Sequence, residues 1–338
     1  MTSTATSTAR RSRLVAAGVL VLIVAAATTG LLGVPHGVQE VVGGGGGQVA
    51  TSGSPTLWAL GAGLTLCLLA LMYLAALTGE ISPRRVTSFT VRQYLRLTPD
   101  NAGLVGGALT VQYRWRRLGL WAGGVVGILL TGLFGTVQLS LAAILGGWFV
   151  GAAFAEFRVS RPVESGPRRA VLATRSTGRF TTLGNRVAVA SVGGLAVVLL
   201  VTAVAVGVAN RNADWLQPSV VLVLVWAALF VLYRRVVGRP APAEPADLVA
   251  ADDALRCQSL AVLSGSAVAL SGFPAAQLAV GVFMELGMPG DSAGFIGGCL
   301  VVGLALLGWW LASWSTSPRR GRSSSPGAIV VDQSQGLA

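Results

Sequence analysis

The 338-residue chain contains no lysine, one histidine and three cysteines, and only 11% of its residues are charged. Each scarcity excludes a class of chemistry. Without lysine there is no Walker A loop, so the five glycines Gly43 to Gly47 form a flexible linker and not a phosphate cradle. Any ATP-driven step would need a separate subunit. A lone histidine, His36, cannot build a multi-histidine metal site, nor does it lie near a candidate nucleophile. Cys67, Cys257 and Cys299 have no C-x-x-C spacing and read as small buried hydrophobes, not as a disulfide framework or a zinc site. No H-E-x-x-H occurs, Gly290-Asp291 lacks a second membrane aspartate, and Asp252-Asp253 lacks the further carboxylate of a diphosphate–magnesium site. The chain therefore reads as a non-enzyme with no cofactor. A soluble domain carries about 25% charged residues, so a water-soluble globule is excluded as well.

What the chain has instead is apolar length. Hydrophobic residues make up 53% and mean hydropathy is +0.69. A bilayer core needs about 20 apolar residues in a helix, and the backbone of such a run must satisfy its own hydrogen bonds. Runs near 14–34, 57–78, 119–136, 139–157, 187–209, 218–236, 258–278 and 294–314 meet this requirement, with acids and arginines only at their ends. The expected fold is all-α, a polytopic transmembrane bundle of about eight spans in a single integral membrane domain. The first run follows Arg10, Arg11 and Arg13 as a signal peptide would, but it is long enough to stay as a span. Residues 315–338 read as a disordered cytoplasmic tail.

Charge orients the bundle. All 25 basic residues are arginine, and with a cytoplasmic N-terminus 24 of them face inward and only Arg211 outward. Nine acids accompany the inner set and four the outer, so a net charge of +12 divides into +15 inside and −3 outside. This positive-inside bias places both termini in the cytoplasm, in a multi-pass protein of the plasma membrane. Trp58 and Trp215 at outer boundaries, and Tyr113, Trp115, Trp121, Tyr233 and Trp314 at inner ones, fit the interfacial aromatic belt. Trp148 and Trp226 fall mid-span and read as packing residues.

The loops carry further expectations. In 79–118, Val91, Tyr94, Leu95 and Leu97 share a face opposite Arg92 and Arg96, which predicts an interfacial helix. The segment Ala102 to Val111 is too short to span and reads as a shallow re-entrant piece. A coupling helix docking on a soluble partner is the functional alternative. The basic 158–186 loop serves orientation and anionic headgroups, with no nucleic acid as partner. Asp252 and Asp253 are expected to cap a short helix leading into the seventh span. Pro274 predicts a kink there, followed by an interfacial piece and a turn at Gly287, Pro289 and Gly290. Runs three and four predict a tight hairpin split at Gly135 to Gln138. Its arms carry Gly123-x-x-x-Gly127 and Gly147-x-x-x-Gly151, spacings that let helix backbones approach closely.

The candidate functional residues are few. Glu80 and Glu156 end spans on the inner side, each followed by an arginine, Arg84 or Arg158. An interfacial ion pair is the ordinary reading and a gate or proton acceptor the functional one. Gln277 beside Pro274 is placed to face a cavity.

Three stretches resemble multi-pass membrane proteins of actinobacteria to which no activity is assigned. They are Ala155-Glu156-Phe157-Arg158, Gly166-Pro167-Arg168-Arg169-Ala170 and Ala251-Asp252-Asp253-Ala254-Leu255-Arg256. The resemblance covers roughly the central half of the chain and implies membrane location alone. Taken together, the features favour the membrane subunit of a transport or export assembly, its basic loops meeting a cytoplasmic ATPase or other membrane subunits. A non-transporting scaffold or accessory protein is the alternative.

Overall fold

The computed structural model describes residues 81–133, 140–159, 180–211, 213–239 and 246–313, together with Gly178. These form seven helices, with no strand among the described residues: α1 Pro83–Arg92, α2 Pro99–Leu133, α3 Leu141–Val159, α4 Leu183–Asn210, α5 Leu216–Gly238, α6 Ala246–Glu285 and α7 Gly290–Ser313. Five of them, α3 to α7, are long and apolar enough to cross a membrane. The protein is membrane-embedded and all-α. The apolar half of α2 from Gly119 onward matches the third predicted run, but ends at Leu133 within the described residues. Runs 14–34 and 57–78, the 43–47 linker, the turn at 135–138, most of the 158–186 loop and the 315–338 tail lie outside the described residues.

α6 is the hub. It packs against α2, α3, α4, α5 and α7, and its apolar stretch is 67% buried against 22% for α4 and for α7. Its sequence explains why. Between Cys257 and Gly272 it is dominated by alanine, serine and glycine alongside branched residues, so five neighbours can approach one axis. Ser264, Ser266 and Ser271 are fully buried, yet each hydroxyl donates to the carbonyl four residues back at 2.6–2.8 Å. The polarity of Ser266 and Ser271 thus stays within the helix. The outward faces of α4 and α7 carry exposed Val197, Val201, Leu306 and Trp309, as lipid-facing surfaces require.

Two hairpins, α2–α3 and α6–α7, make the most extensive contacts. In the first, a Cβ on Gly147 would strike the Gly119 carbonyl and stand 2.7 Å from the Gly123 Cα. One on Gly151 would stand 3.0 Å from the Gly119 Cα. The predicted close approach is present, with Gly119 joining the two motifs as an unforeseen third partner. The second hairpin repeats the device, because side chains at Gly265 or Gly308 would each meet the other's carbonyl.

Four local expectations are corrected. The amphipathic helix in the first basic loop is Pro83–Arg92, not 91–97. It starts with proline at its first position and ends in a Schellman closure, in which Leu95 N donates to Thr90 O at 2.9 Å and Tyr94 N to Val91 O at 3.2 Å. Tyr94 occupies the left-handed position with φ 49°, where glycine is usual, so the stop carried no ordinary sequence mark. Val91, Tyr94 and Leu97 are exposed, and Phe89 with Leu95 provides the buried contact. Second, 102–111 is not re-entrant. Thr98 precedes Pro99 and Asp100, the start of a 35-residue helix, and Val105 and Leu109 are fully buried against α1 and the start of α6. Third, α6 begins at Ala246, so Asp252 lies two turns inside it and does not cap it. Fourth, the helix continues through Pro274 to Glu285 with no separate interfacial piece. The expected turn follows, closed by Gly287 at φ 84° and by Met288 N donating to Phe283 O at 3.0 Å.

The second and third corrections share one cause. At 1.5 Å per residue, α6 is about 60 Å long and α2 about 52 Å, well beyond a bilayer core of about 30 Å. Their N-terminal halves project past the apolar bundle and, with α1, enclose a second small core around Val105, Leu109, Ala251 and Leu255.

Gly147→Ala is expected to cost about 1–3 kcal/mol through backbone collision, lowering the thermal midpoint in detergent. Gly107→Ala meets nothing within 4 Å and is expected to be neutral or to stabilise by up to about 1 kcal/mol through helix propensity. Equal midpoints for the two variants would contradict the packing described.

Candidate functional site

The two ends of the bundle differ chemically. At the end where α3, α5 and α7 finish, arginines meet helix C-termini. Those termini leave carbonyls without partners and carry the negative pole of the helix dipole. Arg256, fully buried on α6, donates through Nη1 to the carbonyls of Val236 at 3.2 Å and Val237 at 3.1 Å, the last turn of α5. Arg92 on α1 donates through Nη1 to the Ser313 carbonyl at the end of α7, 2.6 Å away. The buried Arg256 charge is balanced by Asp252 one turn earlier, with Oδ2 accepting at 2.8 Å from Nε and lying 2.7 Å from Nη2. The second oxygen of Asp252 accepts from Arg239 Nη2 at 2.5 Å. Phe180 covers the Arg256 guanidinium at 5.7 Å.

Beside this triad lies a second buried polar group spanning α2, α3 and α6. Gln112 Nε2 donates to Ser259 Oγ at 3.0 Å and to Glu156 Oε1 at 3.4 Å. Arg116 Nη2 donates to Gln112 Oε1 at 3.2 Å. Among the described residues, the other Glu156 oxygen and Arg116 Nε find no hydrogen-bond partner. Among the described residues, Arg116, Arg239 and Arg256 share the interior with two carboxylates, Glu156 and Asp252. Higher up, Tyr233 and Ser264 hydroxyls hydrogen-bond each other, and Asn185 Nδ2 donates to Ser264 Oγ at 3.5 Å, tying α4 and α5 to α6.

Toward the opposite end lies a cavity of about 670 Å³ between α4, α5, α6 and α7. Its walls are mainly apolar, with Gln217 and Gln277 and the acids Asp214 and Glu285 among them. Trp215 forms one side, its indole packed on Gly207 so closely that no side chain could replace that glycine. Glu285 accepts from Asn210 Nδ2 at 2.7 Å, holding the α4 and α6 ends together. Proline at 274 leaves the Leu270 carbonyl without its helical donor, and Leu270 lines the cavity.

The residues singled out from the sequence separate. Glu80 lies outside the described residues, and Arg84 is exposed on α1. Glu156 and Arg158 do not meet, because residues two apart on a helix do not face each other. Glu156 turns inward to Gln112, while Arg158 lies over the Trp115 ring at 5.2 Å. Gln277 lines the cavity. Arg239, Asp252, Arg256, Gln112 and Arg116 were not anticipated. A signal existed for two pairs: Asp252 with Arg256 and Gln112 with Arg116 both stand at i,i+4, a spacing that joins side chains on one helical face.

No family model, curated protein or solved structure matches this chain.

Asp252→Asn removes the charge shared by two buried arginines and is expected to destabilise the protein by about 3–5 kcal/mol. Glu156→Gln is expected to cost less, because Glu156 makes one long hydrogen bond and leaves an oxygen unpartnered. Denaturant unfolding in detergent ranks the two, and the reverse order would remove the triad from its structural role.

Proposed function

We propose that the chain is the membrane subunit of a transport or export assembly: a multi-pass plasma-membrane protein of about eight spans with both termini cytoplasmic. The observation that carries this reading is the arrangement along α6. A cavity occupies the half beyond Leu270, and buried polar residues fill the half around Asp252, Arg256 and Ser259. Ser259 and Leu270 are separated by about 16 Å of helix. A chamber on one side and a plugged layer on the other is the geometry that access from a single face requires. A channel would need a continuous polar path.

The arginine-rich end supports a cytoplasmic placement through the positive-inside rule, and its projecting α1, α2 and α6 segments offer a rigid platform beyond the bilayer. The chain has no lysine and hence no Walker A loop, so energy would come from a partner. Exposed Arg84 and Arg85 on α1 would contact anionic headgroups or that partner.

Purification of the tagged full chain from membranes in mild detergent is expected to recover an ATPase in stoichiometric amount. Recovery of membrane proteins without an ATPase would overturn the reading in favour of a scaffold. Orientation has its own test in a variant with the three cysteines replaced. Ala213→Cys is expected to react with an impermeant maleimide in intact cells and Ser88→Cys only after permeabilisation; the opposite pattern would invert the topology.

A further inference from the structure

α1 is fastened at both ends, and both anchors lie at one level of the bundle. Near its start, the Arg85 guanidinium lies over the Tyr113 ring of α2 at 5.2 Å. At its last residue, Arg92 Nη1 donates to the Ser313 carbonyl at 2.6 Å. Ser313 is the final residue of α7, a helix long and apolar enough to span. Tyr113 stands six residues before Gly119, where the apolar part of α2 begins, about 9 Å along the axis. The ten residues of α1, about 15 Å of helix, thus bridge two helices where each passes from apolar to polar sequence. α1 therefore lies along the bilayer surface, at the foot of the projecting platform.

Every exposed charged residue in 81–98 and 101–118 is an arginine. Arg84, Arg85, Arg92 and Arg96 belong to α1 and the turn after it, and Arg114 and Arg117 to α2. Arg117 and Arg114 stand about 3 and 8 Å before Gly119 along the axis, within the headgroup layer of about 5–8 Å on each side of a bilayer core. They are three residues apart, so their side chains share a face. Asp100 lies about 25 Å along α2 from Arg117, on the side away from the apolar part. On the adjoining turn of α6, Asp252 is held by Arg239 and Arg256, and Asp253 is half-buried. Apolar side chains alternate with these arginines: Val91, Tyr94 and Leu97 are 50%, 58% and 48% exposed. Within about one turn of Ser313, Trp309 and Trp310 are exposed as well, as an interfacial aromatic belt requires.

We propose that α1 and the 114–117 turn of α2 form a binding surface for anionic phospholipid, selected from the zwitterionic lipid around it. A soluble acidic partner would suit the charge, but not the apolar side chains set among the arginines at the level where spanning helices end. A phospholipid suits both. Its phosphate accepts from the guanidinium groups, and its glycerol and upper acyl chain cover Val91, Tyr94 and Leu97. A zwitterionic headgroup brings its own cation toward a surface whose exposed charges are all positive, whereas an anionic one does not. The proposal rests on the membrane placement of the chain and chooses headgroups over a soluble partner for α1. It does not depend on transport.

The test uses the full-length chain with its three cysteines replaced and Val91→Cys carrying an NBD fluorophore. It is reconstituted in phosphatidylcholine vesicles containing about one-fifth phosphatidylglycerol, with a nitroxide quencher on the chains of one lipid at a time and in equal amount. Nitroxide phosphatidylglycerol is expected to quench at least about threefold more than nitroxide phosphatidylcholine. Arg84→Gln, Arg85→Gln, Arg114→Gln and Arg117→Gln together are expected to make the two equal while quenching itself persists. Because Arg85 also covers Tyr113, the milder pair Arg84→Gln with Arg117→Gln is measured beside it, and is expected to reduce the preference with an unchanged thermal midpoint. Absence of quenching by either lipid would set this segment against water or a soluble partner and overturn the proposal. Equal quenching in the unaltered arginine background would mean apolar contact without headgroup selection, and would overturn it too. So would a preference undiminished in the folded variants. ATPase recovery is scored separately on the unlabelled chain, so failure of the assembly reading leaves this surface standing, and failure here leaves the assembly.

Discussion

The structure depends on how a buried helix end is satisfied. α5 finishes among other helices, with Val236 and Val237 buried and their carbonyls beyond the reach of water. Unpartnered carbonyls in such a place are costly, and Arg256 supplies the donors from the adjacent helix. A guanidinium in a dry interior then requires a counter-charge, which Asp252 provides from one turn away. The free oxygen of Asp252 in turn takes Arg239, the residue that ends α5. One capping problem thus fixes both the register of α6 against α5 and the return of the chain between them. Because α6 touches nearly every other helix, that register propagates. The serine and glycine surface of α6 presents its small residues to α3, α4 and α7 only when Arg256 sits under α5.

Much of this bundle was legible in the sequence, and what was not has a common physical origin. Hydropathy located the apolar portions of α2 to α7, and the Gly-x-x-x-Gly spacing located the close crossing of α2 with α3, because both depend on side chains local to one segment. Helix ends were missed where the helix left the apolar region. Residues 99–118 and 246–257 are too polar to register as spans, yet they remain helical because Val105, Leu109, Ala251 and Leu255 bury one another. Tyr94 closes α1 in a conformation ordinarily marked by glycine, so the stop was invisible. Asp252 followed three prolines and resembled a cap; only the position of Arg239, brought in by α5, makes it a bridge. Gln277 stood out because proline and glutamine together inside an apolar run are a local anomaly, and it lines the cavity. The cavity as a whole was not readable, since four helices have to assemble before it exists.

Arginine acquires a second meaning from the same geometry. An inward bias of 24 arginines to one, as the sequence reading expects, needs only charge, and lysine would serve. The described arginines are used for what lysine does poorly. Arg256 binds a carboxylate and two carbonyls through a fixed planar fork, Arg235 lies 4.2 Å from the centre of the Phe157 ring, and Arg158 covers Trp115. Planar, delocalised and weakly hydrated, guanidinium can enter a half-dry layer and stack there. Composition bias toward arginine and the chemistry of helix ends thus act on the same residues.

Glycine placement extends this reasoning from helix ends to helix crossings. Where two helices must touch, a missing side chain is repaid by backbone contact, as at Gly147 and Gly308. Where a glycine faces open space instead, as at Gly107 or Gly281, the helix carries its propensity cost with no contact in return among the described residues. Elsewhere α6 fills its surroundings with alanine and serine and leaves little void. The hub is packed most tightly between Cys257 and Gly272, and the cavity opens beyond Leu270, where Gln277 and Glu285 of the same helix line it.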